Sequence, residues 1–335
     1  MIERSLAGDG RIVEQDVFGT ADSGQIGAAV EHFCRRELGC GASAGLFYES
    51  SVGCVLGLEL TDGRRVVLKA HQPDRTAARL GACQAVQAGL HARGFPCPEP
   101  LLAPRPLGRG LATLERHLER GARADAREPA IRDEIAARLF ELMAIARDVG
   151  LGTDLGGSWF GSLPPQQLWP RPHNARLDFA ATARGAEWID ELARRARAVP
   201  AAGERVLGHF DWRAEHFRFE AGRISTVYDW DSLHFEREPI ATGAAACAFT
   251  TDWSRTDLPL APSLAEIRSF FASYEQARGR SFEPAERRTA HASCVYLTAY
   301  LARCQHTRAA EDRSARDRAF IDSLAEVGPA LLQAL

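Results

Sequence analysis

Gly208-His209-Phe210-Asp211-Trp212-Arg213-Ala214-Glu215-His216-Phe217-Arg218-Phe219, followed at once by Glu220-Ala221-Gly222-Arg223 and then Ile224-Ser225-Thr226-Val227-Tyr228-Asp229-Trp230-Asp231, carries most of the information in this chain. The middle segment has the composition of a tight turn, so the flanking stretches are expected to form a hairpin. A carboxylate stands near each end of that hairpin, Asp211 and Asp229. An acid closing an apolar strand such as Ile224–Val227 is costly unless it is paired or bound to metal.

Working outward, the next informative residue is Lys69. It is the only lysine among 41 basic residues, so a positive charge elsewhere is always a guanidinium. It ends the run Arg65-Val66-Val67-Leu68-Lys69-Ala70, which follows Leu56–Leu60 across the turn Thr61-Asp62-Gly63-Arg64. This predicts a second hairpin with the lysine on its later strand. An ammonium is a compact point charge able to serve phosphate oxygens from a confined place, whereas a guanidinium is a wide planar fork.

The spacing His209-x-Asp211, a basic residue two places later (Arg213), a further ligand five places after the aspartate (His216) and an aspartate at the end of the next strand (Asp229) matches the protein-kinase catalytic pattern. With Asp229-Trp230-Asp231 in place of Asp-Phe-Gly, the chain resembles the aminoglycoside phosphotransferase and choline kinase-like family of small-molecule kinases. Gly94-Phe95-Pro96-Cys97-Pro98 is similar to that family's turn after the first long helix, and Leu114-Glu115-Arg116 to its hinge strand. The resemblance runs from about residue 40 to about residue 305.

It implies an α+β, protein-kinase-like fold of two lobes: a small antiparallel β-sheet lobe with a helix over residues 1–116 that grips the nucleotide, and a larger, mainly helical catalytic and acceptor-binding lobe over 117–335. It further implies ATP or GTP with Mg²⁺, and a small hydroxylated acceptor such as an aminoglycoside-like antibiotic or a metabolite. Asp211 would orient the acceptor proton, Asp229 with His216 would hold metal, and Arg213 would contact the γ-phosphate or pair with Glu215. His209 would tie the catalytic loop to the backbone. Lys69 would reach the phosphates, Glu115 would sit on the nucleotide-side hinge strand, and Ser50, Ser51 and Gly53 would cover the phosphates from the turn Glu49–Gly53. The lysine and the two aspartates are expected to converge on one cleft. Phosphoryl transfer asks mainly for positioning and charge neutralisation, which is what these residue types supply.

Two departures stand out. His216 occupies the usual asparagine position, and an imidazole is a softer ligand than an amide oxygen. The expected helix from about Arg75 to Arg93 has no glutamate for Lys69, leaving Gln84 or Gln87 to orient the ammonium. These features keep open a kinase-fold protein that binds a nucleotide or metabolite without turnover; separately, the two imidazoles and two carboxylates of His209, Asp211, His216 and Asp229 keep open a Zn²⁺ hydrolase.

The rest of the chain agrees with a cytoplasmic globular enzyme. No run approaches the ~20 apolar residues of a membrane span, and Met1-Ile2-Glu3-Arg4 lacks the opening of a signal peptide. The eight cysteines show no Cys-x-x-Cys spacing, so reduced and mostly buried thiols are expected. A net charge of −3, with arginines interleaved among acids, argues against nucleic acid. Oligomeric state is not legible. Helices are expected over 25–38 and 75–93 and strands at Leu46–Tyr48, Cys54–Leu60, Arg65–His71 and Leu111–Arg116, with a Pro-rich link over 96–106. Ile135, Leu139, Leu142, Met143, Ala146 and Val149 form a helical stripe, as do Cys294, Leu297, Leu301 and Cys304. Ser263-Leu264-Ala265-Glu266 reads as a capping box. Asp231, Glu236, Glu238 and Asp252 are candidates for an acidic wall that favours amine-bearing acceptors.

Overall fold

The computed structural model describes residues 12–148, 155–172, 177–307, 314 and 316–333. Two compact units divide between Glu119 and Arg120.

The N-terminal unit opens with helices α1 (Ile12–Phe18) and α2 (Ser23–Leu38). Asp22 caps α2 by accepting from the Gln25 N–H, and Gly39 ends it in the left-handed conformation. Strands β1 (Ala42–Ser50), β2 (Cys54–Leu60), β3 (Arg65–Ala70), β4 (Pro100–Leu107) and β5 (Gly110–Arg116) form an antiparallel sheet in the order β1-β2-β3-β5-β4, and helix α3 (Ala77–Ala92) lies between β3 and β4 in sequence. The period-2 alternation predicted for the β2–β3 hairpin divides the two faces. Leu56, Leu58, Leu60, Val66, Leu68, Ala112 and Leu114 are all at most 2% exposed and pack in one core with Val17, Ile26, Val30 and Phe33 of the first two helices. The other face is left to Val67, Lys69, Thr113 and Glu115.

Two features differ from expectation. Helix α1 is too short and too mixed in pattern to be read in advance. The Pro-rich link is in fact mostly the edge strand β4, where proline is tolerated because one edge of the strand needs no donor; the register breaks at Pro100/Leu102 and Leu102/Arg105.

The C-terminal unit is mainly helical: α4 (Pro129–Asp148), the short α5 (Trp159–Ser162), α6 (Glu187–Arg197), α7 (Glu238–Ala248), α8 (Leu264–Arg278), α9 (Pro284–His306) and α10 (Ala319–Gln333). Ile135, Leu139, Leu142, Met143 and Ala146 of α4 are at most 3% exposed, and Val149 of the same predicted stripe lies outside the described residues. The Ser263/Glu266 capping box is present at α8. In α9, Cys294 is buried but Leu297, Leu301 and Cys304 are only half-buried, while Val295, Tyr296 and Ala299 are fully enclosed. The helix packs against α6, α7 and α10, so burial surrounds it and no single stripe marks its inner face. Helices α7 and α9 approach so closely that a Cβ on Gly243 would lie 2.2 Å from the Ala290 carbonyl oxygen.

Two small two-stranded sheets carry the candidate chemistry. Strand β6 (Arg205–His209) pairs with β9 (Leu233–Arg237), and β7 (Phe217–Glu220) with β8 (Arg223–Val227). The β7–β8 hairpin is therefore shorter than expected, with 205–209 taken by a separate partner. Its turn places Ala221 at φ 48° and Gly222 at φ 75°, the two left-handed residues that a type I′ connection requires. Among the described residues no helix is long and apolar enough to cross a membrane. All eight cysteines are free thiols, six of them buried.

Candidate active site

The catalytic-loop residues sit where β6 ends. His209 is fully buried, with its ring edge-on to Trp212 and Trp230 at 5.5 and 5.4 Å. Its Nδ1 accepts from the Asp211 N–H at 3.2 Å. Burial holds its pKa down to about 4, so it is neutral and positions the loop without carrying a proton. Trp212 donates its indole N–H to the Ile135 carbonyl at 3.1 Å, tying the loop to α4. A single 3₁₀ turn over Ala214–His216 then leads into β7. On the facing strand the Tyr228 N–H donates to the His216 carbonyl at 2.9 Å, and Asp229 follows with φ 67°. A non-glycine residue in the left-handed region is uncommon, and aspartate is among the side chains that tolerate it best. The turn brings Asp229 back toward the loop.

The result is a compact polar cluster. Ligand atoms of Asp211, His216 and Asp229 all lie within 4.8 Å of one another. The Arg213 guanidinium bridges two acids, with Nε 3.1 Å from Asp211 Oδ1 and Nη2 2.7 Å from Glu215 Oε1. His216 is 3.7 Å from Asp229 Oδ2 and 3.4 Å from Glu215 Oε1 through Nε2, and its Nδ1 lies 3.0 Å from the Asp211 carbonyl oxygen. The same Nε2 lies 3.4 Å from Arg213 Nε, so the arginine and the acids meet at one ring nitrogen. Burial raises the Asp211 carboxyl above its ordinary range in spite of Arg213 and His216. Burial opposes protonation of His216, but Asp211, Glu215 and Asp229 outweigh it and raise its pKa. Burial also works against the charge on Glu215, yet the hydrogen bond from His216 and the Arg213 charge bring its pKa down to about 2.

Arg213 thus pairs with Glu215, as one of the two sequence readings allowed, and with Asp211 as well. The part played by Glu215 was legible only as the (i, i+2) partner of that arginine. Two hard carboxylates and one imidazole fit a divalent cation. His209 stands outside this cluster, which removes one ligand from the four-residue zinc reading.

The sheet of the N-terminal unit places the remaining candidates. Lys69 Nζ lies 3.7 Å from Glu115 Oε1, with side-chain exposures of 12% and 8%. Gln87 of α3 donates from one amide nitrogen to Glu115 Oε2 at 3.0 Å and to the Pro98 carbonyl at 2.9 Å. Gln84 donates to the Leu102 carbonyl instead. The carboxylate missing from the helix is therefore supplied to Lys69 by strand β5, and Gln87 holds the acid. Ser50 ends β1, and Ser51 and Gly53 form the turn to β2, where the Ser51 N–H donates to the Gly53 carbonyl at 3.2 Å. Glycine is needed there because a Cβ at position 53 would come within 2.7 Å of the Ala70 carbonyl oxygen.

The expected acidic wall does not form from three of its four members. Glu236 accepts from the Ser158 N–H and Oγ at 3.2 and 3.1 Å, Glu238 from Tyr274 and Arg278, and Asp252 from Arg123 and Ser254. They are 6%, 1% and 7% exposed, so they are neither a solvated face nor free to meet a cationic acceptor. Asp231 is half-buried.

Residues 58–236 match the phosphotransferase enzyme family, and the chain belongs to that family. It is a small-molecule kinase. Among solved structures it is similar to an amicoumacin kinase in complex with AMP-PNP, Ca²⁺ and amicoumacin, at 13% identity and a TM-score of 0.61, covering 86% of this chain and 88% of that one. It is also similar to a spectinomycin phosphotransferase in complex with ADP and spectinomycin, at 10% identity, TM-score 0.54 and coverage of 92% and 98%. A Plasmodium vivax ethanolamine kinase matches at 12% identity and TM-score 0.56, with 100% of both chains covered. At these identities the likeness is one of fold. No curated protein sequence matches the chain.

Proposed function

We propose that this kinase transfers the γ-phosphoryl group of ATP or GTP to a hydroxyl of a small molecule, an aminoglycoside-like antibiotic or a metabolite, in the cytoplasm. The observation that carries this reading is the gathering of Asp211, His216 and Asp229 ligand atoms within 4.8 Å beside the Arg213 guanidinium. In this reading residues 1–116 grip the nucleotide, and 117–335 carry the catalytic groups and the acceptor.

Asp211 receives the acceptor hydroxyl as a hydrogen-bond acceptor and takes its proton as the oxygen attacks; burial, by raising its pKa, makes it a better base. Arg213 fixes the Asp211 carboxylate in place, and Glu215 fixes Arg213. Asp229 and His216 are the residues that would hold a divalent cation such as Mg²⁺, leaving Asp211 to the acceptor proton. When bound there, such an ion would supply neutralisation of phosphate charge. Lys69 contributes a compact positive charge to the nucleotide phosphates, and Ser50, Ser51 and Gly53 contribute the turn that covers them.

The experiment is an ADP- and GDP-release screen with both nucleotides over a panel of hydroxylated antibiotics and amino alcohols, with wild type and Asp211→Ala. Release that depends on one acceptor and vanishes in Asp211→Ala supports the reading. Thermal stabilisation by nucleotide with no turnover on any acceptor would instead identify a binding protein.

A further inference from the structure

The N-terminal sheet carries an ion pair whose geometry differs from what the sequence led one to look for. Cross-strand pairing sets Lys69 opposite Thr113 and Val67 opposite Glu115. Lys69 and Glu115 are therefore diagonal neighbours on one face, a separation that long side chains bridge. Both side chains are nearly buried, at 12% and 8% exposed, and a buried ammonium needs a compensating charge. At 3.7 Å the contact is an ion pair without a tight hydrogen bond, so the carboxylate compensates the charge of the ammonium without locking it.

The carboxylate is held more firmly than the lysine. Both N–H groups of the Gln87 amide are committed, one to Glu115 Oε2 and one to the Pro98 carbonyl, and a flipped amide would set its oxygen against two acceptors. Gln87 is 3% exposed and Glu115 6% exposed, so neither arm is a solvated surface contact. Burial, and after it the Glu115 charge, push up the pKa of the neighbouring Cys97 thiol.

We propose that Glu115 is the positioning residue for Lys69 and that Gln87 clamps it, so that the lysine is aligned by the β3–β5 strand register instead of by a carboxylate on helix α3. This rests on the reading of Lys69 as the phosphate-contacting cation. Because both partners belong to hydrogen-bonded strands of one sheet, a shift of α3 would loosen the clamp without carrying the acid away, whereas in protein kinases the corresponding glutamate rides on a helix whose position controls activity. Here α3 keeps only the neutral amide that steadies the acid.

The test uses Glu115→Gln, Gln87→Glu and the double exchange Gln87→Glu/Glu115→Gln, which returns one carboxylate to the cluster from the helix side. The first readout is the pH profile of Lys69 acylation by a small amine-reactive ester, followed by peptide mass spectrometry; it requires no catalysis. Among the groups on this side of the sheet are Glu115 and Thr113 on β5, Gln87 on α3, and His71, whose Nε2 lies 2.9 Å from the Thr113 hydroxyl. Loss of the Glu115 charge lowers the Lys69 pKa and raises its acylation rate at pH 8 severalfold, and the double exchange reverses this. The second readout is the nucleotide dependence of turnover. Glu115→Gln lowers kcat/KM for the nucleotide by about tenfold or more with acceptor KM unchanged, and the double exchange recovers most of it.

An acylation profile identical in wild type and Glu115→Gln, or a loss in Glu115→Gln that the double exchange leaves untouched, overturns the proposal. If Glu115→Gln does not fold, Glu115→Asp decides the matter, since withdrawing the charge by one methylene gives an intermediate acylation profile if the pair matters and a wild-type profile if it does not. A shifted acylation profile with unchanged nucleotide kinetics would retain the ion pair and reject the phosphate-contacting role of Lys69.

Discussion

Replacing Glu238 with glutamine separates a structural carboxylate from an acceptor-binding one. Glu238 opens α7 with its side chain 2% exposed; Oε1 accepts from Tyr274 Oη and Arg278 Nε, both at 2.8 Å, and Oε2 from Arg278 Nη2 at 3.0 Å. Arg147 lies 3.8 Å away. In Glu238→Gln the amide keeps one acceptor, but its NH₂ group faces the Arg278 Nη2 donor and the counter-charge is gone. Breaking a buried ion pair costs about 3–5 kcal/mol. Arg278 retains Glu286 at 3.3 Å and the Ser281 carbonyl at 3.2 Å. These retained partners bring the expected loss somewhat below that range, to about 2–4 kcal/mol, or about 5–10 °C in Tm for a unit of this size. Urea denaturation and calorimetry of the full chain measure it. Asp322→Asn serves as the contrast, because its pair with Arg318 has side-chain exposures of 58% and 54% and is worth less than about 1 kcal/mol. A loss below about 1 kcal/mol in Glu238→Gln, or unchanged stability with a raised KM for the acceptor, would refute the assignment of this acid to the core.

Asp229→Asn preserves a side chain that tolerates the left-handed backbone, so the protein should remain folded by circular dichroism while divalent-ion affinity measured by calorimetry falls at least tenfold and turnover is lost. Gly53→Ala places a methyl against the Ala70 carbonyl; it should cost about 1–3 kcal/mol in urea denaturation and raise the nucleotide KM. His291 packs against Phe271, and burial, then the nearby Arg287, lower its pKa from 6.5 to about 4. Between those values only the unfolded chain takes up the proton, so stability is present above pH 6.5 and is lost as the pH falls through the window. Against His291→Phe, wild type should therefore lose about 2 kcal/mol more between pH 7 and pH 5 in paired denaturation curves.

Much of this architecture could be read from local rules. The β2–β3 hairpin follows from alternation around a turn, the α8 start from a Ser/Glu box, and the candidate loop from the offsets between His209, Asp211, Arg213, His216 and Asp229. What escaped depends on partners far apart in sequence. The pairing of β6 with β9, and of Lys69 with Glu115, depends on strand register: once Val67 is known to face Glu115, the parity of positions 67, 69, 113 and 115 puts the acid beside the ammonium, but no local pattern announces that register. The acids at 236, 238 and 252 look alike in sequence, and only their neighbours Ser158, Arg278 and Arg123 reveal that each is already satisfied. The Pro-rich strand β4 was hidden because proline argues against strands in general and not against an outer one.

The lone lysine has a practical consequence for watching this protein unfold. It sits on β3, the central strand of five, with its side chain 12% exposed. An endoprotease that cuts only after lysine therefore has one site in the whole chain, and cleavage there divides it into residues 1–69 and 70–335. Fragment yield under brief digestion counts only the molecules whose N-terminal sheet has opened, so the stability of that unit can be followed in the intact enzyme regardless of what the helical unit does.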